Sequence, residues 1–247
     1  MKNREIDINC DVGEGLGNEA KLFPYISSCN LACGGHAGDK KIIAEVIALA
    51  HMHQVRVGAH PSYPDKANFG RKSMEMSPVD FENSIISQIK LVEENLLEQK
   101  GSLSHIKAHG ALYNDLAKDR QLAIQYLKIL QPYKTRLALF LPFGSVLAEE
   151  ADKSGWRCKY EAFGDRNYND DLSLVSRTSG KALIIAPENV LEHLLLMITK
   201  STVKTVSGNL VPIKADTYCI HGDTSSAYEI LTYLSVQFPK HNIHLKK

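Results

Sequence analysis

Residues 28–60 begin Ser28-Cys-Asn-Leu-Ala-Cys33, pass through Gly34-Gly-His-Ala-Gly-Asp39 into a helical stretch ending at His53, and finish Val55-Arg-Val-Gly-Ala-His60. A short strand, a glycine-rich turn, an amphipathic helix and a second strand make one βαβ unit. The stretch Asp39–His53 places Ile42, Ile43, Val46, Ile47 and Ala50 on one face, so it predicts a helix lying against a sheet. Strands joined by such a crossover run parallel, and the connection is right-handed.

The same alternation extends in both directions. Further strand candidates are Glu5–Cys10, Ser104–His109, Arg136–Pro142, Trp156–Ala162 and Thr217–His221. Ser77-Pro78 reads as a cap with proline at the first helical position, and that helix runs to a glycine stop at Gly101. Pro187–Lys200 and Thr224–Phe238 read as helices. Thr202–Lys214, with Ser207-Gly208-Asn209 between Val, Leu and Ile residues, predicts a small C-terminal β-hairpin. Seven strands separated by helices give an α/β fold with mainly parallel pairing. An open doubly wound sheet and a closed barrel both satisfy that pattern. No linker, low-complexity segment or internal repeat divides residues 1–247, so a single domain is expected.

Composition removes several classes. Of 247 residues, 29 are basic and 28 acidic, giving a formal charge of +1. Without a basic block, nonspecific attraction to nucleic acid or an anionic membrane has little support. No apolar run approaches the roughly 18 residues of a membrane span, and the start, Met-Lys-Asn-Arg-Glu-Ile-Asp, has no export-signal core. Five scattered cysteines point to reduced thiols and a cytoplasmic setting.

The chemistry is concentrated where the strands end. Strand one leads into Asp11-Val-Gly-Glu14, strand two into His36 and Asp39, strand three into His60-Pro-Ser-Tyr-Pro-Asp65. Strand four gives Lys107-Ala-His109-Gly110, strand six leads to Asp165-Arg166, and strand seven ends in His221-Gly-Asp223. Parallel α/β folds put all C-terminal strand ends on one face, where their sites are built. Four histidines (His36, His60, His109, His221) and several carboxylates would then meet. Each alone has an ordinary structural explanation, and Asp39 and Asp223 also read as helix caps.

Three chemistries can use such a set. Asp with two or three His suits Zn²⁺, Mn²⁺ or Fe²⁺ with a position left for water. The same groups can act as general acid and base around an amide, with Lys107 or Arg166 holding a carboxylate. They can also form a polar binding pocket without chemistry. Gly13-Glu-Gly-Leu-Gly17 lacks the Lys-Ser/Thr of a phosphate loop and sets a carboxylate where phosphate would sit. Cys29 and Cys33 have no second cysteine pair to complete a zinc site, and Cys33 beside His36 is a weak nucleophile candidate.

Together these motifs resemble the LamB/YcsF family. The resemblance is carried by residues 7–14, 30–39, 58–65, Phe69-Gly-Arg71, Lys107-Ala-His-Gly-Ala-Leu-Tyr-Asn114, Phe163-Gly-Asp-Arg-Asn-Tyr168 and 214–223, in order along nearly the whole chain. Gly35 stands where the family usually has an aromatic, Ala108 where proline is common, and Gly164 where alanine is usual. The resemblance implies a distorted (β/α) barrel similar to the glycoside hydrolase/deacetylase superfamily. It also implies ATP-dependent opening of the lactam 5-oxo-L-proline to L-glutamate, in a complex with 5-oxoprolinase subunits B and C and with ATP as co-substrate.

By analogy with the deacetylases, Asp11, His60 and His109 would hold a divalent metal (Zn, Mn or Mg), and with Glu14 as general base they form the expected catalytic set. His36, Asp39, Arg71, Lys107, Asp165, Arg166, His221 and Asp223 are the expected substrate-binding groups. The competing expectations are a stand-alone metal-dependent amidohydrolase or deacetylase, and a non-catalytic protein of the complex that binds a small carboxylic acid. Whether the chain forms homo-oligomers is left open by the sequence.

Overall fold

The computed structural model describes residues 3–247. Strands β1 (Arg4–Ile6), β2 (Ile8–Val12), β3 (Ser28–Ala32), β4 (Arg56–His60), β5 (His105–Lys107), β6 (Ala138–Pro142) and β7 (Cys158–Phe163) are followed by β8 (Thr202–Lys204), β9 (Leu210–Pro212), β10 (Thr217–Cys219) and β11 (Ile243–Leu245). The helices are α1 (Glu19–Leu22), α2 (Lys40–His53), α3 (Pro78–Glu98), α4 (Gly110–Leu116), α5 (Arg120–Ile129), α6 (Val146–Lys153), α7 (Pro187–Lys200) and α8 (Ala227–Gln237). Seven strands close into a parallel barrel in the order β10-β2-β3-β4-β5-β6-β7. The closed barrel is therefore realised, not the open sheet.

Two-residue alternation along each strand explains both faces of the barrel wall. Ile8, Cys10, Val12, Leu31, Val57, Ala59, Ile106, Leu139 and Leu141 lie in the apolar core. Ile43, Val46, Ile47 and Ala50 of α2, and Phe81, Ile85, Ile89 and Val92 of α3, belong to the same core. Each large aliphatic side chain taken from water contributes about 1.5–3 kcal/mol before the entropy of ordering it is counted.

The other face fills the barrel interior with polar groups. Asn9 donates to Thr217 Oγ1 at 2.8 Å, Asn30 donates to Asn9 Oδ1 at 2.7 Å and Asp11 Oδ1 at 2.8 Å, and His105 Nε2 lies 2.8 Å from Asn30 Oδ1. Asp7 closes the lower end, accepting from Arg56 at 2.8 Å and Ser28 at 2.7 Å. Every polar side chain named here finds a partner, which is the condition for burying it. Gly58 is required by this packing: a Cβ there would stand 2.2 Å from His105 Nε2.

Boundary differences have local causes. The predicted first strand breaks at Asp7, because Arg4–Ile6 leaves the barrel to pair in parallel with Ile243–Leu245. The sequence pattern shows neither that last strand nor helices α4, α5 and α6. Helix α3 stops at Glu98, with Lys100 taking a left-handed φ of +58° just before Gly101. The hairpin β8–β9 forms antiparallel as expected. Its loop residues Thr205, Ser207 and Asn209 all donate to Asp170, tying it to the long irregular segment 164–186 over the barrel mouth. Among the described residues no helix is long and apolar enough to cross a membrane.

Candidate functional site

A cleft of about 680 Å³ opens at the C-terminal ends of the barrel strands. Its floor holds Asp11, Glu14, His60, Lys107, His109 and Glu161, and its upper wall includes Arg71, Arg166, Arg177, His221 and Asp223. Asp11, Glu14, His60 and His109 each bring a potential ligand atom, all within 4.8 Å of one another.

The backbone decides how these histidines are protonated. His60 Nδ1 lies 2.8 Å from Lys107 O, and His109 Nε2 lies 3.0 Å from Phe69 O. A carbonyl only accepts, so both of these nitrogens carry hydrogen, which turns His60 Nε2 and His109 Nδ1 toward each other. These two atoms are 3.0 Å apart. A proton or a cation must sit between them. His36 follows the same rule: Ser62 Oγ gives its proton to Tyr63 O at 2.8 Å and accepts from His36 Nδ1 at 3.0 Å. His36 Nε2 is then a lone pair facing Glu14 Oε1 at 3.3 Å.

Charge states agree with that geometry. Burial and the His60 ring hold His36 down to about 3, and burial with both neighbouring rings holds His109 well below the ordinary histidine value. Burial and the Asp11 charge push the Glu14 carboxyl up to about 7. Burial would also raise Asp11, but Lys107 and His60 keep it well below the usual carboxylate range. Burial would discharge Lys107, yet Asp11, Cys219 and Glu161 hold its ammonium well above the ordinary value. Imidazoles aimed with carboxylates at one point, each braced by a carbonyl or hydroxyl behind, are the donor arrangement of a divalent-metal centre. The cluster can hold a metal.

A loop is folded tightly over the histidines to supply these braces. Phe69 has φ +55°, a left-handed backbone that a bulky residue rarely adopts. Its carbonyl is thereby turned onto His109, and its ring lies edge-on to His36 and His109 at 5.2 and 5.5 Å.

Several expected substrate-binding groups take other places. Asp39 does not enter the cleft: it is exposed and accepts from Ile42 N as the cap of α2. His36 sits behind Glu14, stacked on His109 with centroids 3.6 Å apart. Asp165 is fully buried behind His221, accepting from His221 Nδ1 at 2.9 Å and Thr224 Oγ1 at 2.6 Å. Arg166 lines the cleft but spends its donors on Ala182 O and Val175 O, bracing the segment above. Arg71 and Asp223 do meet, and Arg177 joins them at 3.1 Å from Asp223 Oδ2. The weak Cys33 candidate is a buried thiol directed at Gln88.

The LamB/YcsF family profile matches residues 6–247. The chain belongs to the LamB/YcsF family. It is 39% identical over 246 residues to the 5-oxoprolinase A subunit of Shouchella clausii, covering 98% of this chain and 97% of that one. The 5-oxoprolinase A subunit of Thermococcus sibiricus is 37% identical over 246 residues, with 98% and 96% covered. Among solved structures, the lactam utilization protein of Thermus thermophilus superposes with a TM-score of 0.91 at 34% identity, covering 98% of this chain and 99% of that one.

In this LamB/YcsF chain, Gly35 leaves room for a neighbouring side chain. A Cβ there would lie 2.3 Å from Gln88 Oε1. Gln88 of α3 fills that space and clamps Ser62, accepting from Ser62 N at 3.0 Å and donating to Ser62 O at 2.9 Å. Ser62 in turn orients His36. Two cleft groups escape the sequence reading, Glu161 and Arg177, and Phe69 is quoted there only as part of a motif and not as the brace behind His109. Glu161 has a usable signal, an acidic residue inside the strand run Tyr160-Glu-Ala-Phe163. Arg177 has none, and the carbonyl direction of Phe69 leaves no trace in the residue pattern.

Proposed function

We propose that this protein hydrolyses the amide bond of a small lactam bearing a carboxylate, 5-oxo-L-proline, to L-glutamate, as one component of an ATP-dependent 5-oxoprolinase. The carrying observation is the convergence of fixed imidazole lone pairs and two carboxylates beside the buried Lys107 ammonium, under a rim of guanidinium groups. The names of the relatives, 5-oxoprolinase A subunit and lactam utilization protein, support the substrate and the existence of partners.

The cleft is electrically layered. Asp11, Glu14 and Glu161 against Lys107 leave the floor anionic, while Arg71, Arg166, Arg177 and Lys118 against Asp223 and Asp171 leave the rim cationic. A lactam acid fits in one sense only: carboxylate toward the rim, ring carbonyl toward the floor. Asp11, His60 and His109 would hold a divalent metal, which when bound supplies Lewis-acid activation of water at neutral pH, and Glu14 stands beside them. Glu14 accepts the proton of the attacking water as the O–C bond forms and the carbonyl pair moves onto oxygen. The proton taken by Glu14 passes to the ring nitrogen through His221, whose Nδ1–H is held by Asp165 and whose other nitrogen accepts it and passes it on, as the C–N bond breaks.

A lactam is a resonance-stabilised amide, and coupling to ATP cleavage drives its opening. Glu14 turns into the site in a loop where Gly13, Gly15 and Gly17 take left-handed backbone, and its carboxylate stands where a phosphate would meet repulsion. In this reading the nucleotide binds on the partner subunits B and C or at their junction with this chain, in the cytoplasm.

The test is glutamate release from 5-oxoproline by this chain, with and without ATP and the co-expressed partners, before and after chelation. Turnover only with ATP and partners, lost on chelation, is expected. Turnover without either would favour a stand-alone amidohydrolase, and none in an assembled complex would leave a purely binding role.

The rim gives a separate prediction. Arg177→Ala should raise KM for 5-oxoproline roughly tenfold, the value of one charge-assisted hydrogen bond. Its kcat should stay within a few fold, and affinity for the neutral lactam 2-pyrrolidinone should not change. Equal losses for both lactams would remove Arg177 from carboxylate recognition.

A further inference from the structure

Asp11 faces two donor sets. Its Oδ2 lies 3.4 Å from His60 Nε2, within the cluster of Glu14 and His109. Its Oδ1 turns the other way, 2.9 Å from Lys107 Nζ. On that second side Asp11, Cys219 and His221 also bring ligand atoms within 4.8 Å of one another. Glu161 stands beside them, its carboxylate wholly buried and neither oxygen in a hydrogen bond. One carboxylate shared between two adjacent donor sets is the plan of a two-cation centre.

The second place is taken by the protein itself. Lys107 Nζ sits 2.9 Å from Asp11 Oδ1, 2.9 Å from Glu161 Oε1 and 3.4 Å from Cys219 Sγ, with the Phe163 ring 5.4 Å away. We propose that the Lys107 ammonium is the resident second cation of this centre, holding the position a second divalent ion would take among Asp11, Glu161, Cys219 and His221, and acting from there as the catalytic electrophile toward the scissile carbonyl.

The hydrogen-bond inventory of Lys107 supports the catalytic half. An ammonium has three N–H donors. Asp11 takes one in good geometry and the Cys219 sulfur takes another weakly. Glu161 is at ion-pair distance but outside hydrogen-bond geometry. One donor is thus poorly used, on a group that lines the cleft. A carbonyl oxygen gaining negative charge is a better acceptor than either, and it arrives where charge has already been fixed in a water-poor site. The two sides divide the work: the imidazole side serves the attacking water, and Lys107, which cannot hold a water as a metal does, serves the oxygen of the substrate. The occupancy half stands without any assumption about substrate, and the electrophile half rests on the amide hydrolysis proposed above.

The experiment counts cobalt. Full-length wild-type protein and Lys107→Ala are stripped, titrated with Co²⁺, and measured for bound metal and for a thiolate-to-cobalt charge-transfer band. The expected result is one additional Co²⁺ per chain in Lys107→Ala, with a thiolate band that is absent from wild type and disappears in Lys107→Ala/Cys219→Ala. Removing one partner of a buried ion pair can unfold a protein. If circular dichroism shows that Lys107→Ala is unfolded, Lys107→Ala/Glu161→Ala removes both partners and keeps Asp11, Cys219 and His221 for the same titration.

Equal cobalt counts without a thiolate band in the folded variant would overturn the proposal. A thiolate band in wild type would overturn it too. A wild type that binds no cobalt, beside a variant that binds one through Cys219, would uphold the occupancy of Lys107 while removing the metal from the proposed function. In the active complex, Lys107→Ala should lower kcat at least about 100-fold, as loss of an oxyanion donor does; an unchanged kcat would overturn the electrophile half.

Discussion

Asp11→Asn is expected to lower turnover of 5-oxoproline at least about 100-fold, beyond the range found when only an outer partner of a metal ligand is removed. The substitution keeps shape and volume but removes the one charge that both halves of the centre share. On one side it replaces an anionic oxygen 3.4 Å from His60 Nε2; on the other it takes away the carboxylate that Lys107 meets at 2.9 Å. Glu161 remains beside Lys107, so the ammonium keeps one buried counter-charge and the barrel should still close. Metal content after gel filtration, the circular dichroism spectrum and kcat in the assembled complex measure the three consequences separately. Near-normal kcat with normal metal content would remove Asp11 from the centre.

Gly110→Ala should be strongly damaging although it adds only a methyl group. The residue has φ +57°, and a Cβ would stand 2.5 Å from Gly70 O, which also accepts from Ala111 N at 2.9 Å. Left-handed strain and a backbone clash together should cost about 3 kcal/mol. In a chain of this size that lowers Tm by roughly 6–12 °C. The clash also pushes on the loop whose Phe69 carbonyl fixes His109, so kcat should fall with stability. Gly15→Ala is the control: φ is +84° there but nothing lies within 4 Å of the added atom. It should lose only about 1 kcal/mol. Similar losses in the two variants would show that the Gly70–Gly110 approach has room to relax.

How much of this is readable from residues alone depends on which physical signal each part leaves. The βαβ unit of residues 28–60 is legible because α2 and its flanking strands carry different hydrophobic periods. Barrel closure is not legible in the residues themselves: pairing of β10 with β2 joins residues more than two hundred positions apart and leaves no local mark. It enters through the family resemblance. Strand β1 is fused with β2 and β11 is missed, because their pairing joins the two ends of the chain outside the barrel and leaves no local mark. His60, His109 and Glu14 stand out because they lie at strand ends next to glycine or proline, and Asp11 because it is a charge at the end of a strand-like run. The same rule places Asp39 in the site, and there the bland role of a helix cap is what the structure shows. The braces behind the histidines, Phe69 O and Lys107 O, are backbone atoms that no residue-type argument reaches.

The polar filling of the barrel has a consequence for how the chain finds its register. In an apolar barrel, a strand that slips along its neighbour by two residues still meets hydrocarbon, and shape alone must reject the mistake. Here the same slip would set Asn9 or Asn30 against a group of the wrong kind and bury an unmatched amide. The interior thus works as a combination lock during folding, in which wrong alignments are refused by unsatisfied donors before side-chain packing is complete. Mispaired intermediates should be short-lived and wet. Loosening the lower tumblers, Asn9, Asn30 or Thr217, would then let misaligned barrels persist during refolding even where the final structure forms.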